Sequence, residues 1–320
     1  MQPRPPDRLK IRALIAKAEH LLAEGPHPQR ARLDAEALLL HILRRKDPDR
    51  NRAWLIAHAN SPTMPNVDSV LIALVERRYK GEPIQYITGE QEFYGLPFHV
   101  TPDVLIPRPE TEHLVEKALE LAAPLKDNGT GHDFSRAESH EKQDRALVPT
   151  RFPRIIDIGT GSGAIAVALA HHLPRARITA LDISSAALAI ASENAARNAV
   201  SHHIRFLESD LLAAVLNEHF DMVVSNPPYV PWRDRESLSV EVREHEPALA
   251  LFAGDDGLDA IRRLIPAAFA VLEPGGFLLM EIGYGQSESV DELLRNAGFG
   301  RVGFVPDLQG IPRVTCAQRP

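Results

Sequence analysis

The tetrapeptide Asn226-Pro227-Pro228-Tyr229 follows the apolar run Met222-Val223-Val224 after the single residue Ser225, and its residue types suit methyl transfer to a planar nitrogen. An amide or amino nitrogen is a poor nucleophile because its lone pair is delocalised. Two acceptors on its N–H bonds, the Asn226 side-chain carbonyl and the Pro227 backbone carbonyl, would align that lone pair with an electrophilic methyl group. The prolines stiffen the loop, since each fixes φ and removes a competing N–H. Tyr229 can stack its ring on the flat target group. A plain turn after a strand also uses Asn and Pro, although all four residues together at a strand's carboxyl end point to a site.

A second cluster begins where Ile155-Ile156-Asp157-Ile158 runs into Gly159-Thr160-Gly161-Ser162-Gly163-Ala164. Glycines at a strand-to-helix turn let the backbone approach a ligand closely, and helix amides face it. The spacing fits a dinucleotide and an S-adenosylmethionine site equally well. Asp182, ending the next strand, can accept both ribose hydroxyls of either cofactor. Asp210, after the third strand, can accept from an adenine amino group or cap the segment that follows. Asp157 is read as holding the glycine turn. His171-His172 and His202-His203 are adjacent pairs whose side chains diverge, and with one cysteine, Cys316, no metal site is expected.

These residues need a sheet to hold them. From 154 onward strand and helix patterns alternate, which calls for a mostly parallel sheet covered on both faces. The short connection 306–312 before the last strand predicts an antiparallel C-terminal hairpin. Before it lie an all-helical domain over 1–80 and a linking β-hairpin within 81–107, the latter from the aromatic and β-forming residues between Ile84 and Val100. Residues 108–320 form the larger domain, with 126–151, polar and charged throughout, as a surface insertion.

At 320 residues with 44% hydrophobic and 25% charged side chains, the composition is that of a globular protein and excludes global disorder. No apolar run reaches the ~18 residues of a membrane span, and charged residues interrupt the N-terminal segment where a signal peptide would be apolar. A cytoplasmic address is the expectation. Residues 1–80 carry 15 Lys+Arg against 9 Asp+Glu, net +6, and the remainder is net −13. The helical part therefore suits an acidic or nucleic-acid partner, or is simply an Arg-rich solvated surface.

The chain resembles the release factor glutamine methyltransferases of the HemK/PrmC family. The resemblance rests on Arg32-Leu33-Asp34-Ala35-Glu36-Ala37-Leu38-Leu39, Pro83-Ile84-Gln85-Tyr86-Ile87-Thr88-Gly89, Leu105-Ile106-Pro107-Arg108-Pro109-Glu110-Thr111-Glu112, the glycine turn and the Asn-Pro-Pro-Tyr loop. It continues through Glu246-Pro247-Ala248-Leu249-Ala250-Leu251, Gly254-Asp255-Asp256-Gly257-Leu258-Asp259 and Glu281-Ile282-Gly283. It implies a Rossmann-like class I methyltransferase sheet, S-adenosylmethionine as cofactor, and methylation of the glutamine amide in the Gly-Gly-Gln motif of release factors, free or on the ribosome. By the resemblance Gly159, Thr160, Gly161, Ser162, Gly163, Asp182 and Asp210 hold the cofactor. Asn226 lies where cofactor and substrate meet, Asn226 to Tyr229 hold the substrate amide, and the helical domain recognises the factor. Leu211, where the family often has an aromatic residue beside adenine, is a departure; it is placed in the cofactor site in that residue's stead.

An adenine amino-methyltransferase acting on DNA or RNA would share the amino-group chemistry. A net −13 in the larger part argues against a polyanionic substrate, since phosphate contacts supply most such affinity, and no direct DNA partner is expected. A non-catalytic binding module does not need the intact tetrapeptide, and a dehydrogenase would need a catalytic His or Lys that no strand end supplies.

Overall fold

The computed structural model describes residues 9–122 and 153–320; the expected insertion at 126–151 lies outside them. The described residues group into two compact units, one reaching to Glu90 and including Glu236–Glu246, the other holding the rest.

The first unit is helical. Helices α1 (Ile11–Ala23), α2 (Ala31–Arg44), α3 (Arg52–Ala57), α4 (Val67–Tyr79) and α5 (Ile84–Thr88) follow in order. Residues Leu14, Ala18 and Leu22 of α1, Leu38, Leu39 and Leu43 of α2, and Leu71 and Val75 of α4 recur at helical spacing and share one buried core. The side chain of Asn51 accepts from Trp54 N at 3.0 Å and so caps α3. The segment from Ile84, expected as hairpin, is the short helix α5; Pro83 precedes its first turn, Gly89 at φ +74° ends it, and Ile87 joins the helical core.

A buried charge also organises this unit. Arg78 and Asp34 are almost fully enclosed, with Arg78 Nε donating to Asp34 Oδ2 at 2.6 Å. Arg78 Nη1 donates to the Glu82 carbonyl at 3.0 Å and pairs with Glu241, to which His27 is also paired at 3.3 Å. That is why Glu236–Glu246, far along the chain and carrying no local signal, groups with the first unit.

The second unit starts with a hairpin, β1 (Glu90–Phe93) and β2 (Leu96–His99), turned at Tyr94-Gly95 with positive φ at both positions. Phe93 and Phe98 bury themselves in this unit's core. There follow α6 (Glu112–Ala122), β3 (Arg154–Ile158), α7 (Ala164–His172), β4 (Arg177–Asp182), α8 (Ser185–Arg197), β5 (Ile204–Glu208) and β6 (Phe220–Ser225). Beyond α9 (Val240–His245), which belongs to the first unit, come α10 (Ala248–Leu251), α11 (Asp259–Val271), β7 (Leu272–Glu281), α12 (Ser287–Asn296), β8 (Gly300–Pro306) and β9 (Pro312–Gln318). The seven-stranded sheet has the order β5-β4-β3-β6-β7-β9-β8. Pairs from β5 through β7 are parallel, and β9 is antiparallel to both neighbours, as the alternation and the short last connection predict.

Alternation along β3 supplies both faces. Ile155 joins the core under α6, α7 and the hairpin, while Ile156 and Ile158 join the core under α11 and α12. Helix α7, apolar all round, is buried from Ala164 to Ala170. From β3 the chain winds outward through β4 to β5 and then returns to β3's other side as β6. The carboxyl ends of β3 and β6 therefore border a crevice. No described helix is long and apolar enough to cross a membrane.

Arg78→Met should leave the buried Asp34 with only the longer, half-exposed pairing to Arg30 at 3.5 Å and lower the first unit's stability by about 3 kcal/mol. The chain has two tryptophans, so urea unfolding followed by Trp54 fluorescence in a Trp232→Phe background reads this unit alone. A loss below about 1 kcal/mol would mean that the pair is solvated in solution.

Candidate active site

The crevice is a cleft of about 450 Å³, lined by residues of the second unit that converge from the ends of β3, β4 and β6 and from the segment after β5. Its floor is set by register: Ile158 stands opposite Ser225 in the parallel pair β3/β6, and the Ser225 hydroxyl donates to the Ile158 carbonyl at 2.7 Å. The residues after these two, Gly159 and Asn226, accordingly open the two loops side by side.

The glycine turn is shaped by positive φ at Gly159 (+69°) and Gly161 (+55°). A Cβ at either would meet nothing within 4 Å, so both present bare backbone to the cleft they line. Gly163 serves differently. Its Cβ would lie 3.1 Å from the Ala191 methyl, so its absence permits close packing of α7 on α8. Thr160 N donates to the Leu181 carbonyl at 2.9 Å, tying the turn to β4. The carboxylate of Asp182 accepts from Gly161 N at 2.8 Å and from Ser184 N at 2.9 Å, which fixes its plane at the cleft wall.

Asp157 is wholly buried. Its Oδ2 accepts from the Thr160 hydroxyl at 2.7 Å, and the backbone N–H of Ala166 also favours its charged form. Burial pushes its carboxyl up to about 7, with the nearby Asp182 adding to the rise and the Thr160 bond opposing it.

Asp210 lines the cleft, but its carboxylate is paired with Arg263 at 2.7 Å on the surface. It does not cap the following segment. The Ser209 hydroxyl does so, accepting from Ala214 N at 3.1 Å. Leu211, also on the cleft wall, has φ +50°, an unusual backbone for a branched residue.

The loop after β6 is tightly held. Asn226 and Pro228 face the cleft, whereas Pro227 and Tyr229 do not line it. The Tyr229 ring packs against the apolar core instead of standing open for stacking, because its hydroxyl donates to the buried Glu281 Oε1 at 3.0 Å. Glu281 Oε2 accepts from the Thr111 hydroxyl at 2.6 Å, and Asn226 Nδ2 donates to Thr111 Oγ1 at 3.1 Å. Burial raises the Glu281 carboxyl and, more strongly, the Tyr229 phenol; the bonds from Thr111 and Tyr229 pull Glu281 back down.

Backbone straps complete the loop. Val230 N donates to the Leu251 carbonyl at 2.9 Å, Ala253 N to the Val230 carbonyl at 3.0 Å, and Trp232 N to the Gly254 carbonyl at 2.9 Å. Gln286 Nε2 donates to the Tyr229 carbonyl at 3.1 Å. Gly257 is obligatory here, since its Cβ would fall 2.2 Å from the Tyr229 carbonyl oxygen. Of the residues expected from sequence, the cleft thus gathers Gly159, Thr160, Gly161, Ser162, Asp182, Asp210, Leu211, Asn226 and Pro228. Thr111, Glu281 and Gln286 received no role from sequence. Thr111 and Glu281 fall within segments that carry the family resemblance, whereas Gln286 lies in none of them.

Residues 13–89 match the family model described as PrmC N-terminal domain, and residues 145–242 the one described as Methyltransferase small domain. Similar proteins include the release factor glutamine methyltransferase of Koribacter versatilis (strain Ellin345), 42% identical over 96% of this chain and 98% of that protein. That of Xylella fastidiosa (strain 9a5c) is 41% identical over 90% and 94%. Among solved structures, the hMettl16 catalytic domain in complex with MAT2A 3'UTR hairpin 6 has a TM-score of 0.51 at 16% identity, covering 86% of this chain and 95% of that one, which is a likeness of fold. The sheet order and the matching domain make the second unit a class I methyltransferase fold.

Asp157 yields a pH-dependent stability. Its folded-state pKa is raised from 3.8 to about 7, so the folded protein holds this proton more tightly than the unfolded chain. The associated stability is present below the unfolded value and is lost as pH rises through the folded one. Between about pH 4 and pH 8 the melting temperature of wild type should fall relative to that of Asp157→Asn. A difference independent of pH would show that Asp157 titrates as an ordinary carboxyl.

Proposed function

We propose, for a chain that belongs to the family of release factor glutamine methyltransferases, that it transfers a methyl group from S-adenosylmethionine to the side-chain amide nitrogen of the glutamine in a release factor's Gly-Gly-Gln motif. The observation that supports this reading is the shared cleft: a bare-backbone glycine turn and Asn226 stand at adjacent carboxyl ends of β3 and β6. The substrate class is that of the relatives, which are release factor glutamine methyltransferases, and the factor, free or ribosome-bound, is the expected protein partner.

The cleft residues fit the cofactor. Gly159 and Gly161 leave open space where side chains would intrude, and Ala164 and Ile165 at the start of α7 line the same cleft. Asp182 keeps lone pairs beyond those engaged by Gly161 and Ser184 and would accept the ribose hydroxyls. Thr160 and Ser162, on the cleft wall, would touch the cofactor along the turn, and Asp210 and Leu211 would border the adenine. When bound, S-adenosylmethionine supplies a methyl group on a positively charged sulfur, which is electrophilic without any metal.

What the chain itself contributes is position. Asn226 Oδ1, on the cleft wall, would accept one N–H bond of the glutamine amide and turn its nitrogen lone pair toward the methyl group; the Pro227 carbonyl, on a residue that does not line the cleft as it stands, is the second acceptor expected from the sequence. As the nitrogen becomes positively charged, those same oxygens stabilise it, and they need no reorganisation because the loop is strapped. Tyr229 acts from behind, keeping the loop on Glu281. Loss of the amide proton after transfer restores neutrality.

Incubation with methyl-labelled cofactor should label release factor and leave duplex DNA unlabelled; label in DNA alone would favour the adenine-directed alternative. Asn226→Ala should lower the single-turnover rate at saturating cofactor by about 10²-fold or more, with folding intact, and near wild-type rates would remove the amide clamp. Asp182→Ala should weaken cofactor binding by about 1.5–3 kcal/mol in calorimetry, since a charged acceptor is lost. Unchanged affinity would place the ribose elsewhere.

A further inference from the structure

The side chain of Asn226 has two chemically opposite ends of nearly equal shape, an accepting oxygen and a donating NH2 group. Only one end can meet the substrate. The other faces Thr111, whose hydroxyl carries a single proton. That proton is committed, because Glu281 Oε2 lies 2.6 Å from Thr111 Oγ1 and Glu281 Oε1 accepts the Tyr229 hydroxyl at 3.0 Å. Thr111 therefore offers Asn226 only lone pairs. At 3.1 Å an Asn226 oxygen would set lone pair against lone pair, so the NH2 group must face Thr111 and Oδ1 is left for the cleft.

We propose that Thr111 and Glu281 are positioning residues that fix the polarity of the Asn226 amide, so that the site presents a hydrogen-bond acceptor to the substrate nitrogen and selects an N–H donor. The inference deepens the proposed function and rests on it. The relay spans three separate chain segments: Thr111 in the turn before α6, Asn226 after β6, and Glu281 at the end of β7. Thr111 borders the cleft but, like Glu281, is buried, so water has little access to the proton between them. The opposite polarity would favour a carbonyl or carboxylate in the same place, which carries no nitrogen to methylate.

Thr111→Val keeps the shape and removes the hydroxyl; Thr111→Ser keeps the hydroxyl. In Thr111→Val, single-turnover transfer to release factor at saturating cofactor should fall by roughly 30-fold, with cofactor affinity within about twofold of wild type. Thr111→Ser should recover to within about threefold. A readout independent of catalysis is the Asn226 side-chain NH2 resonance in the cofactor-free, 15N-labelled protein, identified by its loss in Asn226→Ala. Its protons should exchange slowly in wild type and Thr111→Ser and rapidly in Thr111→Val. Undiminished transfer in Thr111→Val, an NH2 signal indifferent to it, or equal losses in both variants accompanied by a lowered Tm would overturn the proposal. If wild type itself fails to label release factor, the functional reading falls, while the exchange measurement still decides the polarity of Asn226.

Discussion

The register of one strand pair decides where chemistry can happen in this molecule. Because Ile158 and Ser225 are opposite one another in β3 and β6, both chains leave the sheet at the same level and their loops start as neighbours. A slip by one residue would turn Ile156 and Ile158 to the wrong face and put Asp157 into the core beneath α11 and α12. The apolar pattern on both faces and the Ser225 hydroxyl bond to Ile158 hold the register, so the site's geometry is a consequence of core packing on two sides.

That arrangement places two buried carboxyls at the ends of central strands, and they differ in how they are satisfied. Glu281 accepts a hydroxyl proton on each oxygen. Asp157 has one such bond, from Thr160, and a weaker contribution from the Ala166 backbone. It stands just before the glycine turn and is tied to that turn through the Thr160 hydroxyl. Glu281, by contrast, is a rigid acceptor onto which Tyr229 and Thr111 are both hung.

Much of this was legible in sequence because it depends on local periodicity. The alternation after 154, the antiparallel ending and the glycine turn are each set by residues close together in the chain. The short helix at 84–88 was not, since β-forming Ile84, Tyr86 and Ile87 outweigh a helix start that tertiary packing stabilises. Nor was the attachment of Glu236–Glu246 to the helical unit, which depends on Arg78 meeting Glu241 across more than half the chain. The site divides the same way. Asn226 and Asp182 announce themselves by type and place, whereas Thr111 is one threonine among many until Glu281 and Asn226 are found on either side of its hydroxyl.

The loop from Asn226 to Trp232 shows why a polar site can be both exposed and rigid. Two prolines fix φ at 227 and 228, and the backbone groups of Tyr229, Val230 and Trp232 are each bonded to a named partner. Gln286 and Gly257 close on the Tyr229 carbonyl from opposite chain segments, one by a hydrogen bond and the other by having no Cβ. With the backbone held and the Asn226 NH2 group bound to Thr111, little conformational freedom remains to be lost when a substrate amide arrives. Preorganisation of this kind lets neutral oxygens orient a weak nucleophile. It also explains why the motifs around 254–259 and 281–283 accompany the tetrapeptide: they supply the second wall against which its backbone is fixed.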